Sequence, residues 1–153
     1  MTDKDYIKKT IELSKESVAI GGYPVGAVIV QNGEIVSTGF SNGKQLCDPT
    51  NHAEADAIRK AGRKLNKRNL DDVVLYTSLE PCVMCFTSCF WAYIPRVVFA
   101  CSRDKVSADY FEGNHDIFEL NKVGRRKIEL VHFDELEEEA LRVITDWETT
   151  LAK

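Results

Sequence analysis

Val73-Val-Leu-Tyr-Thr77, then Pro81-Cys-Val-Met-Cys85 running on to Tyr93, then Val97-Val-Phe-Ala-Cys101 is the passage on which the fold turns. The two β-branched, apolar runs read as short strands. Pro81 opens a helix between them, because its missing N–H and fixed φ suit a first helical turn. Upstream, Val25-Gly-Ala-Val-Ile-Val30 and Glu34-Ile-Val-Ser-Thr38 flank Gln31-Asn32-Gly33 and predict a β-hairpin. Before it, Ile7, Ile11, Ser14 and Val18 share one side of a helix over residues 3–20, which Gly21-Gly22 ends. Phe40 to Thr50 is turn-rich and expected to be a surface loop, feeding a helix from about His52 to Lys64.

Downstream, Phe111 to Leu120 is ambiguous between loop and short helix, Lys127 to Phe133 alternates as a strand, and Asp134 to about Thr150 has helical spacing. Strands separated by helices after an opening hairpin indicate an α/β fold, a mixed sheet covered by helices. At 153 residues, without a linker or internal repeat, one domain spanning 1–153 is expected.

With 44% hydrophobic and 29% charged residues the composition is that of a globular chain, not a disordered or fibrous one. No apolar run approaches the roughly 20 residues of a bilayer crossing. The N-terminus alternates acids and lysines, so a cytoplasmic protein without membrane partners is expected, its five cysteines free thiols or metal ligands. A net charge of −4 disfavours nonspecific nucleic-acid binding.

Cys82 and Cys85 lie three residues apart on an opening helix turn, where unpaired backbone N–H groups favour thiolates. Such a pair serves either as a redox dithiol or as half of a zinc site. His52 tilts the choice, since two cysteines and a histidine form a catalytic zinc set with a position open for water. Glu54 is then the acid/base that manages that water's proton. In a regular helix His52 and Glu54 would point about 200° apart, so this role places them on a first turn or its lead-in. The alternative is a closed structural zinc with Cys47, Cys89, Cys101, His115 or His132 as fourth ligand, in which Glu54 has no part.

His52-Ala-Glu54 followed by Pro81-Cys82-x-x-Cys85 resembles the zinc-dependent cytidine deaminase superfamily. The resemblance extends over about residues 5–120, including Pro24-Val-Gly-Ala-Val28, Asp48-Pro-Thr50 and Pro95-Arg96-Val97-Val98. It is strongest toward the branch of bacterial guanine deaminase and the tRNA adenosine deaminases, with cytosine deaminase next. The resemblance implies a cytidine deaminase-like three-layer α/β/α sandwich with a mixed five-stranded sheet, and a homodimer. It assigns His52, Cys82 and Cys85 to Zn2+, Glu54 to proton transfer, and the backbone around Ala53 and Cys82 to substrate contact. Relatives carry an asparagine eleven residues before the zinc histidine; here that position is Ser41, with Asn42 next to it, so either the loop shifts or another ring edge is read.

Asp109, Tyr110 and Phe111 fall where relatives approach the substrate, and plain surface or core packing is the competing reading. The basic residues from Arg59 to Arg68 and from Lys122 to Lys127 read as solvated helix faces before phosphate contacts. Seven acids between Asp134 and Glu148 oppose a bound RNA. The expected function is therefore deamination of a free nucleobase, guanine first. A tRNA adenosine deaminase, a deaminase of cytosine or another aminated heterocycle, and an inactive zinc-binding module stand behind it.

Overall fold

A computed structural model describes residues 1–151; the expected unit of residues 1–153 ends two residues beyond them. Helix α1, Asp3–Ala19, is secured at its start by Asp5 Oδ2, which accepts from the Thr2 backbone N–H and hydroxyl at 2.7 and 2.9 Å. Strands β1, Tyr23–Gln31, and β2, Glu34–Ser41, form the expected hairpin about Asn32 and Gly33, both at positive φ. β2 runs past its expected end at Thr38. The loop expected from Phe40 to Thr50 thus contains the end of that strand and a one-turn helix α2, Gly43–Leu46, closed by Cys47 in the left-handed region.

There follow α3, Ala53–Leu65, β3, Val73–Leu79, α4, Val83–Trp91, and β4, Arg96–Cys101. The ambiguous stretch is irregular up to Asp116, whose side chain caps α5, Ile117–Val123, by accepting from Phe118 N at 2.8 Å. β5 is Glu129–His132, shorter than the alternation alone implied. The last element begins as a 3-10 turn, Asp134–Leu136, before α6, Glu137–Leu151.

The sheet has the order β2-β1-β3-β4-β5, with β1 antiparallel to both neighbours and β3, β4 and β5 parallel. Alternate strand residues divide the core between its faces. Val28, Val30, Tyr76 and Val98 pack under α1 and α6, whereas Ala27, Ile29, Leu75 and Val97 pack under α3, α4 and α5. The result is the three-layer α/β/α sandwich with a mixed five-stranded sheet. Each fully buried valine or leucine here contributes about 1.5–3 kcal/mol relative to exposure.

Gly39 fixes how closely α3 approaches the sheet, since a Cβ there would lie 1.9 Å from the Ala53 carbonyl oxygen. Phe40 N then donates to Asp56 Oδ2 at 3.0 Å, pinning the first turn of α3 to β2. Among the described residues no helix is long and apolar enough to cross a membrane.

Candidate active site

Helices α3 and α4 direct their N-termini to one place, beyond the C-terminal end of β3. Helix α3 starts one residue after the expected His52, and α4 two residues after the expected Pro81, which stands outside the helix ahead of its N-cap residue Cys82 and so does not occupy the first turn. His52 (φ −75°, ψ 162°) and Cys82 (φ −69°, ψ 170°) are extended lead-in residues, not helical ones. This resolves the opposed directions of His52 and Glu54: the histidine leaves the chain before α3 and the glutamate from its first turn.

His52 Nδ1 and Cys82 Sγ are 3.5 Å apart, and one ligand atom from each of His52, Cys82 and Cys85 lies within 4.8 Å of the others. Among the described residues no fourth histidine, cysteine or carboxylate joins this group. Cys89 is fully buried and its thiol donates to the Cys85 carbonyl at 3.4 Å, while Cys101 is equally buried and donates to Ser102 O. These two cysteines serve packing, as buried thiols commonly do.

The Cys85 thiol hydrogen-bonds Cys82, and with the His52 imidazole it holds the Cys82 thiol well below its ordinary range. His52 is raised in turn, chiefly by that sulfur. Glu54 is 4% exposed, and burial, then the negative Cys82, push its carboxyl upward. Thr77 Oγ1 lies 3.2 Å from Glu54 Oε1 and equally far from Leu79 O, so its single hydrogen serves one or the other. Two sulfurs and an imidazole converging without a fourth side chain suit zinc with an open position.

A cavity of about 770 Å³ opens beside this cluster, large enough for a small organic ligand. His52, Glu54 and Cys82 reach its wall, together with Ser41, Asp109, Tyr110 and Phe111. Cys85 and Ala53 are fully buried and do not line it. Nor does Asn42, whose Oδ1 accepts from Asn51 Nδ2 at 2.6 Å. The loop has thus not shifted Asn42 into the cavity; Asn51, braced by Arg59 Nη1 at 2.7 Å, stands on the wall instead.

Thr77, Asn51, Lys44 and Tyr23 also belong to the site and went unnoticed in the sequence. Thr77 sits in an ordinary β-branched strand and is revealed only by its place opposite α3. The signal for Asn51 was its position beside His52.

A three-layer sandwich with a His/Cys/Cys cluster next to a buried carboxylate, at the meeting of two helix N-termini, defines a zinc-dependent deaminase. The chain belongs to the cytidine and deoxycytidylate deaminase family, whose zinc-binding region matches residues 1–101. It is 39% identical to the guanine deaminase of Bacillus subtilis over 123 residues, 80% of this chain and 79% of that one. Over 95 residues it is 40% identical to the tRNA-specific adenosine deaminase of Aquifex aeolicus, 62% of this chain and 63% of that one. The X-ray structure of guanine deaminase from Bacillus subtilis, 34% identical, superposes with a TM-score of 0.69, covering 97% of this chain and 95% of that chain.

Proposed function

We propose that this enzyme hydrolyses a free purine base, converting guanine and water to xanthine and ammonia. The charge of the cavity wall carries this reading. Asp48, Glu54, Glu80, Asp109 and Glu112 face it, against Lys44 and His52. Carboxylates suit the N–H and amino groups of guanine and repel the phosphates of a polynucleotide.

The outer basic segment, α3 and the residues after it, is also largely occupied within the chain. Lys60 pairs with Asp56, Lys67 pairs with Asp72, Lys64 donates to Val36 O and Arg59 holds Asn51. The guanine deaminase relative supports the same choice.

His52, Cys82 and Cys85 are the residues that would hold zinc, whose chemistry when bound is to acidify a water molecule and polarise the reacting centre. Glu54, buried and raised, retains a proton closer to neutrality than an exposed glutamate and can deliver it to the ring nitrogen and the departing amine. Thr77 limits the orientations open to that carboxyl. Ser41, Asp109, Tyr110 and Phe111 would orient the ring, with the Asn51 amide in place of that of Asn42. Ala53, buried behind them, would act only through its backbone.

A homodimer is part of this reading, supported by the exposed Trp91 at the end of α4, Tyr93 just beyond it and Phe118 on α5. So is a reducing, cytoplasmic setting, supported by five unpaired cysteines. The test is ammonia release by the zinc-loaded protein from guanine, adenine, cytosine, their nucleosides and transfer RNA. Guanine should lead. Inosine formation in transfer RNA, with every free base inert, would overturn the proposal.

A further inference from the structure

Tyr23, at the start of β1, and Tyr110, in the 3-10 turn Ala108–Tyr110, stand on the cavity wall although 87 residues separate them. Both rest on one indole. Trp147 of α6 meets the Tyr23 ring edge-on at 5.5 Å between centroids and the Tyr110 ring at 6.2 Å with a 46° tilt. The next residue, Glu148, accepts a hydrogen bond from the Tyr110 hydroxyl. One turn earlier Ile144, 2% exposed, reaches the cavity wall itself.

Edge and tilted contacts between aromatic rings constrain separation and orientation as well as adding attraction. Within the turn that carries Tyr110, Ser107, Ala108 and Asp109 are exposed, and the Tyr110 ring itself packs against the core that α6 shares. Phe111 is steadied separately, under the Arg103 guanidinium at 4.8 Å. The ring and the hydroxyl of Tyr110 are thus both oriented by α6, and through Trp147 the same helix bears on Tyr23. Trp147 does not itself line the cavity.

We infer that Trp147 and Glu148 are positioning residues that hold Tyr23 and Tyr110 at a fixed separation, so that the last helix sets the width of the cavity mouth and the size of ring admitted; the inference rests on the base-deaminase reading above. Loss of either residue should loosen ring binding and leave the chemistry intact, because Glu54, His52 and the cysteines are held by α3 and α4.

The experiment has two arms. Trp91 and Trp147 are the two tryptophans, so in zinc-loaded Trp91→Phe the emission belongs to Trp147. Without any substrate, adding Tyr110→Ala or Glu148→Gln to that variant should raise acrylamide quenching about twofold or more, as the indole loses its neighbour. An unchanged quenching constant would overturn the latch.

The second arm uses whichever base releases ammonia. Trp147→Ala and Glu148→Gln should each raise KM about tenfold with kcat within about twofold, and Trp147→Phe should recover much of the loss. Unchanged KM with a lowered kcat, in protein of normal zinc content and melting temperature, would overturn the inference. If no base is deaminated while the quenching arm behaves as described, the latch stands and the functional reading alone fails.

Discussion

Glu54 combines three conditions at one side chain: burial, a position on the first turn of α3, and a hydroxyl neighbour in Thr77. It adjoins the His/Cys/Cys cluster without belonging to it, so its removal should separate chemistry from metal content. Glu54→Gln keeps the shape and loses the proton. Turnover should fall at least about 10²-fold with one zinc per chain retained, as befits a group that moves protons in the reaction. Kinetics and metal content measured on a single preparation check this, and near-normal turnover would remove Glu54 from the mechanism. The His52, Cys82 and Cys85 cluster was legible in the sequence because metal chemistry restricts ligand types and spacing so severely, and Glu54 because it stands two residues from His52. Asn51 and Trp147 were not, since an amide and an indole have many uses and only the folded chain shows which neighbours they meet.

At the level of elements, the contact of β2 with α3 is the tightest constraint near the site. Gly39→Ala would press a methyl group onto the Ala53 carbonyl and displace the turn that carries Glu54. A loss of about 1–3 kcal/mol in urea unfolding is expected, the usual cost of overpacking, together with weaker zinc retention. A second junction joins α1 to the sheet, where Arg96 of β4 donates to both Asp3 oxygens, at 3.0 and 2.7 Å, and Tyr76 of β3 donates to Oδ1 at 2.6 Å. The Arg96 hydrogen bonds hold the Asp3 carboxyl below its ordinary value. A lowered folded value stabilises above the unfolded one, so this contribution is present at neutral pH and disappears as pH falls below about 4. Asp3→Asn should cost about 1–2 kcal/mol at pH 7, and the gap from the parent should close in acid. A gap that persists at low pH would refute the assignment. The strands and long helices were legible because apolar periodicity marks them directly. The bounds of β2 and the 3-10 turn before α6 were not, because they depend on close approaches such as that at Gly39 and on pairing at the sheet edge.

For the molecule as a whole, an acidic cavity within a chain of net charge −4 sets an ionic signature for its substrate. A neutral base has no charge to screen, so kcat/KM for guanine should change less than about twofold between low and high salt. A steep decline would instead mark phosphate contacts. Helices α1 and α6 also meet on one sheet face, where Tyr6, Ile7 and Ile11 share a core with Ala140, Val143 and Ile144. The ribosome delivers these partners far apart in time, since α1 ends at Ala19 and α6 begins at Glu137. All three side chains of the His/Cys/Cys cluster have emerged by residue 85, whereas the helix that covers Val98 and Ala100 begins only at Glu137. A nascent chain arrested near residue 133 should therefore be cleaved readily by protease and should resist only after α6 is released, so that closure of this core waits for a helix synthesised well after the metal cluster.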